Sequence, residues 1–191
     1  TIIRIEPPHP VLAIGNRRVF RRIVRANAGR QAGDRPVDMR GIEKRRRIAM
    51  ADRAGDYIAG LFSAEDELLA SLREEADRTG LPPIAISADE GRLLQVLLTA
   101  INARRVLEVG TLGGYSAICM ARALPPGGRL LSIEIEETHA AFARRYVERA
   151  ALADRIEVRV GRALDVLPSL DGERFDAMFL DADKEPLPTY F

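Results

Sequence analysis

Apolar residues along this chain recur at a helical spacing first and then in an alternating strand–helix rhythm. Leu68, Leu69, Leu72 and Ala76 share one helical face, and Gly80 followed by Pro82-Pro83 ends that run. Ser63-Ala-Glu-Asp66 just before it has the spacing of a capping box, which predicts Ser63 as the N-cap. Ser87-Ala-Asp-Glu90 repeats the signature ahead of a second helix that turns Leu93, Leu94, Leu97, Leu98 and Ile101 inward. From residue 105 the pattern alternates. Strands are predicted over 105–109, 130–135, 156–160 and 175–180, and helices over 114–124, 137–152 and 162–167. Pro125-Pro126-Gly127-Gly128 reads as a turn, and the Phe142, Tyr146, Ala150 face has a period of about 3.6. Strands alternating with helices through short connections predict an α/β fold with a doubly wound parallel sheet.

The first 49 residues break this order. They hold Pro7-Pro8, Pro10 and the basic clusters Arg17-Arg18, Arg21-Arg22 and Lys44 to Arg47, with no sustained period. Val11 to Ile14 and Val19 to Val24 could form short ordered pieces. Residues 1–53 carry fourteen Lys and Arg against five Asp and Glu, so a net charge of +1 for the whole chain hides a basic front and an acidic remainder. The expected division is a largely irregular basic arm over 1–49 and a domain over 50–191. A solvated arm is favoured over one that contacts RNA or a membrane, because blocks of like charge usually stay solvated.

Length and composition fit one domain with a real core. No run approaches the roughly 18 consecutive apolar residues of a membrane span. The leading arginines and prolines do not read as a secretory signal, and a single cysteine, Cys119, excludes an internal disulfide. These features suit a reducing, cytoplasmic setting. Cys119, beside Ile118 and Met120 in a predicted helix, reads as a small buried hydrophobe. His9 and His139 have no metal-ligand spacing, and His139 in the first turn of a helix is expected to be exposed.

Ligands of open parallel sheets bind outside the carboxyl ends of the strands. Those ends read Glu108-Val-Gly110, Glu134-Ile-Glu136, Gly161-Arg-Ala163 and Asp181-Ala-Asp183. Acids at three of the four favour a cationic ligand. Gly110-Thr-Leu-Gly-Gly114 joins a strand to a helix N-terminus, where glycines admit close approach and backbone N–H groups accept an anionic group. Its spacing is not the G-x-G-x-x-G of a dinucleotide loop, which argues against a nucleotide-dependent oxidoreductase. Glu134, 24 residues after Gly110, stands where doubly wound folds place an acid on ribose hydroxyls.

Val106-Leu-Glu-Val-Gly-Thr-Leu-Gly-Gly-Tyr-Ser116 closely resembles motif I of the metal-dependent catechol and caffeoyl-CoA type O-methyltransferases. Leu131-Ser-Ile-Glu134, Gly161-Arg-Ala163 and Phe175-Asp-Ala-Met-Phe-Leu-Asp-Ala-Asp-Lys184 carry the likeness further, in register from about Asp56 to Phe191. The resemblance implies a Rossmann-like methyltransferase sheet and S-adenosylmethionine (SAM) as cofactor. It places Glu108, Gly110, Gly114 and Ser116 at the cofactor's amino-acid end, Glu134 on the ribose and Ala163 beside the adenine. Ile86 matches a segment lying over cofactor and substrate. Asp181, also beside the cofactor, matches a ligand of a divalent cation, magnesium by expectation, and Lys184 the catalytic base. The implied activity is methyl transfer to a hydroxyl of a small catechol-like or hydroxylated aromatic acceptor. Two positions depart from the family pattern: Arg162 where aspartate is common, and Ile84 where methionine is common.

The family completes its metal site with an Asp-Asn pair after a further strand, and no asparagine here follows an aspartate. The reading is therefore of strands one to four with the C-terminal strands missing, and of a fourth strand left at an open sheet edge. Rival readings are a hydroxyuridine methyltransferase of tRNA, and a cofactor-binding pseudoenzyme or RNA-associated protein using the arm. A homodimer stays open as the assembly.

Overall fold

A computed structural model describes residues 65–182, together with 12–15 and residues 57, 60 and 61. Five parallel strands form one sheet: β1 (Leu12–Gly15), β2 (Arg105–Val109), β3 (Arg129–Glu134), β4 (Ile156–Val160) and β5 (Ala177–Leu180). Their order is β1-β5-β2-β3-β4. The helices are α1 (Glu67–Thr79), α2 (Ala88–Ala100), α3 (Tyr115–Ala123), α4 (Glu137–Arg149) and the short α5 (Ala163–Val166), which runs into a 3-10 turn over Leu167–Leu170.

Side chains alternate cleanly across the sheet. Val106, Leu130, Ile156, Val158, Ala177 and Phe179 join the helices α1 to α4 in the larger core. Leu107, Val109, Leu131, Ile133, Met178 and Leu180 face the other way, onto Leu167, Leu170 and Phe175. A strand apolar on both faces, such as β5, is what a sheet covered on both sides requires. The alternation also explains α4, whose Ala140, Phe142, Ala143, Tyr146 and Val147 are buried while Glu137 and Arg149 occupy its ends in the favourable dipole sense.

The chain runs outward from β2 through β3 to β4, then returns to β5 on the other side of β2. That reversal makes the gap between β2 and β5 the topological switch point, where doubly wound sheets hold ligands.

Several expectations need correction, the simplest being Leu93, which α2 leaves 52% exposed rather than turned inward. The fourth predicted strand, β5, is not at an open edge: β1 pairs with it in parallel, Leu12 against Ala177 through Gly15 against Leu180. Part of the basic arm is thus a strand of the sheet, and the rest of the arm lies outside the described residues. The N-cap of α1 is Asp66, whose carboxylate accepts from the Leu69 N–H at 2.9 Å; the proposed cap Ser63 is outside the described residues. The second box forms as expected, with Glu90 accepting from the Ser87 N–H at 2.8 Å.

Candidate active site

The strand ends at the switch point are joined by backbone hydrogen bonds one residue past each strand. Gly110 N–H donates to Ile133 O at 2.9 Å, Gly161 N–H to Glu134 O at 2.8 Å, and Asp181 N–H to Val109 O at 2.9 Å. Glu108, Gly110, Glu134, Gly161 and Asp181 therefore surround one spot, with Ala163 opening α5 nearby.

Glu108 is fully buried on the helical face of the sheet, opposite Ser132 on β3. Ser116, in the first turn of α3, donates to Glu108 Oε1, and Ser132 Oγ donates to Oε2 at 2.5 Å. Ser132 Oγ shares a further hydrogen bond of 2.5 Å with Thr111 Oγ1 of the glycine loop. Burial raises the Glu108 carboxyl to about 8; the two serine hydroxyls pull it back, while Asp181 and Glu134 push it further up. The group sits in an acidic neighbourhood formed with Glu134 and Asp181.

Glu134 is buried at the end of β3 and holds the loop. Its Oε2 accepts from Thr111 N–H at 3.0 Å and Leu112 N–H at 2.7 Å, and its Oε1 accepts from Glu136 N–H at 3.0 Å. Leu112 has φ +49°, in the left-handed region that non-glycine residues rarely adopt, so this carboxylate secures a strained turn. A carboxylate offers about four acceptor positions, so one remains for a ligand hydroxyl. His139 is not exposed as expected. Its side chain is 22% accessible, with Nδ1 3.7 Å from Glu134 Oε1.

Gly110 and Gly114 shape the loop for steric reasons. At Gly110 (φ +98°) an added Cβ would lie 2.6 Å from the Asp181 carbonyl oxygen, and at Gly114 (φ +83°) 3.1 Å from Ala143 Cβ. Gly114 is also the N-cap of α3, whose N-terminus suits a carboxylate. Ile86 takes a different place from the strand-end residues: it is buried in the larger core, and its carbonyl accepts from Arg73 Nη2 at 2.7 Å. Sequence reasoning passed over Ile135, a large apolar side chain 60% exposed beside Glu134 at the end of β3. The signal in the sequence is an isoleucine set between two acids, Glu134 and Glu136, at a predicted strand end.

Asp181 is partly buried at the end of β5. Among the described residues no three His, Cys, Asp or Glu side chains cluster as a metal site. Lys184 lies outside the described residues. Among those same residues no helix is long and apolar enough to cross a membrane.

Fold and site together define a Rossmann-like α/β domain whose glycine loop and buried strand-end carboxyls meet at its switch point. Residues 61–191 match the O-methyltransferase family, and the chain belongs to that family. It is 51% identical over 129 residues to a catechol O-methyltransferase of Mycobacterium tuberculosis, covering 68% of this chain and 59% of that protein. A catechol O-methyltransferase of Niastella koreensis is 43% identical over 138 residues, covering 71% and 62%. Among solved structures, the Streptomyces achromogenes O-methyltransferase TomG, involved in tomaymycin synthesis and crystallised with SAM, superposes with a TM-score of 0.67 at 46% identity. That match covers 71% of this chain and 62% of the other. The chain therefore spans about three-fifths of the length of these relatives.

Proposed function

We propose that this protein binds SAM at the β2–β5 switch point and transfers its methyl group to a hydroxyl oxygen of a small catechol-like or hydroxylated aromatic acceptor. The observation that carries the reading is the meeting of Glu108, Glu134 and Asp181 with the glycine loop at the strand ends, where burial and the acidic neighbours also push the Glu108 carboxyl up, to about 8. A ligand bearing a sulfonium and an ammonium brings positive charge to these carboxyls and favours the ionised form of Glu108. Family membership and the SAM held by the Streptomyces relative support the same choice.

In this reading Ser116 and Glu108 receive the amino-acid end of SAM, with its carboxylate toward the N-terminus of α3. Gly110 and Gly114 leave the backbone room for it. Glu134 offers its remaining acceptor position to the ribose, while Ile135 presents an apolar surface to the adenine and Ala163 flanks it. Asp181 and Ile86 complete the proposed cofactor surroundings.

The transfer itself is a displacement at carbon. The acceptor hydroxyl loses its proton, its oxygen attacks the methyl carbon, and the carbon–sulfur bond breaks to leave S-adenosylhomocysteine. Holding the two reactants in line accounts for much of such an acceleration.

The family implies a divalent cation, for which Asp181 is a suitable hard-oxygen ligand. The described residues do not assemble a three-ligand site around it. Lys184 is proposed as the base that takes the acceptor proton, and Lys184→Arg should abolish turnover because guanidinium keeps its proton. The direct test is transfer of a labelled methyl group from SAM to a catechol, with products identified by mass. O-methylated catechol supports the proposal. Bound SAM without labelled product across a panel of hydroxylated aromatics counts against transfer.

A further inference from the structure

The connection between α1 and α2, residues 80–87, is fastened at its start to the glycine loop and at its far end to α1. At its start, Leu81 Cδ2 lies 3.5 Å from where a Cβ on Gly113 would be, so this side chain packs directly on the loop. Pro82-Pro83 and the Ile84 N–H, which donates to Pro82 O at 2.8 Å, restrict the backbone between. At its far end the Ile86 carbonyl accepts from Arg73 Nη2 at 2.7 Å.

Arg73 is the centre of this arrangement. Its Nε donates to Glu65 Oε1 at 2.5 Å, and the same oxygen accepts from the Tyr115 hydroxyl at 2.6 Å. The guanidinium also stacks on the Tyr115 ring, 4.0 Å from its centroid. One side chain of α1 thus ties together the segment before α1, the connection to α2 and the first residue of α3. Tyr115 directly precedes Ser116, which donates to Glu108.

An exposed ion pair on a helix contributes little and organises nothing. Arg73 is only 30% accessible and Tyr115 is buried. Burial works against the Arg73 charge, yet Glu65 and Tyr115 more than offset it, so the guanidinium holds its proton more firmly than usual. The Tyr115 hydroxyl is likewise held protonated, by burial first and by Glu65 second. The result is a charged, hydrogen-bonded unit rather than a loose surface contact.

We propose that Arg73 is a positioning residue for the cofactor cleft, locking the 81–87 connection against the glycine loop and the start of α3 through Glu65 and Tyr115. The loop and the α3 turn are then set before the cofactor arrives, and less ordering has to accompany binding. This rests on the SAM reading above. Lysine cannot replace the arginine fully, because a point charge cannot pair with Glu65, reach Ile86 O and stack on the ring together.

The test combines amide hydrogen exchange with SAM affinity for the wild type, Arg73→Gln, Arg73→Lys and Tyr115→Phe. Arg73→Gln should speed exchange over 81–88 and 111–116 while β2, β3 and β4 keep their protection. It should also weaken SAM binding by about tenfold or more. Arg73→Lys should fall between wild type and Arg73→Gln, and Tyr115→Phe, which loses only the hydroxyl, should move in the same direction. Faster exchange spread evenly over the core strands would overturn the proposal, as would unchanged SAM affinity beside a loosened connection. If the wild type bound no SAM, the function reading would fall, and the exchange pattern alone would still decide whether Arg73 locks the connection.

Discussion

The carbonyl oxygen of Asp181 occupies the space that any side chain on Gly110 would need, 2.6 Å from the position of an added Cβ. The residue following β2 and the residue following β5 are therefore packed backbone to backbone, with the φ of Gly110 at +98°. Gly110→Ala has to clear a backbone atom and adopt an unfavourable φ at once. It should destabilise the protein by roughly 2–5 kcal/mol and lower its melting temperature sharply. A variant melting like the wild type contradicts this packing.

Removing Glu134 should disturb the loop before any ligand is considered. Glu134→Ala leaves the Thr111, Leu112 and Glu136 N–H groups without their carboxylate acceptor. Each hydrogen bond to a charged group contributes about 1.5–3 kcal/mol, so exchange at these amides should rise by well over tenfold in the ligand-free protein. SAM affinity should fall as well. Unchanged exchange at Thr111 and Leu112 in Glu134→Ala rules out the anchoring role.

Glu108 gives the folded protein a pH dependence of definite sign. The carboxyl ionises near 4.5 when unfolded and at about 8 when folded. Between those values the folded state binds the proton more tightly, so this group's contribution is complete below about pH 4.5 and drains away as pH rises to about 8. The full effect is roughly 5 kcal/mol at most. Glu108→Gln keeps the size of the side chain without its charge, and it should flatten the fall in melting temperature across that window. Parallel profiles for wild type and variant would show that Glu108 does not titrate there.

The periodic features of the fold were legible in the sequence. The strands over Arg105–Val109 and Ile156–Val160 have the predicted limits, because clear turn residues flank each apolar run. The predicted helix over 137–152 ends earlier, at Arg149, since the Phe142 and Tyr146 face continues past the last helical turn. Less visible were relationships between residues far apart in the chain. The pairing of Leu12–Gly15 with β5 spans most of the sequence, and four residues carry too little pattern to announce it. Glu134 could be placed at a strand end, but not as the acceptor for the loop 22 to 23 residues before it. Nothing local marks Arg73, Glu65 and Tyr115 as one unit, because the hydrogen bond joining Glu65 to Tyr115 spans 50 residues. His139 read as an exposed first-turn residue, whereas the fold turns it toward Glu134.

We propose above that the acidic strand ends at the switch point hold SAM. Calorimetric titration of the protein with SAM near pH 7, in two buffers of different ionisation enthalpy, tests it most directly. The expected result is saturation of a single site, with a proton released to the buffer as the cationic ligand ionises Glu108, and no comparable binding of NAD. Saturable binding of NAD in the absence of any saturable heat from SAM would contradict it.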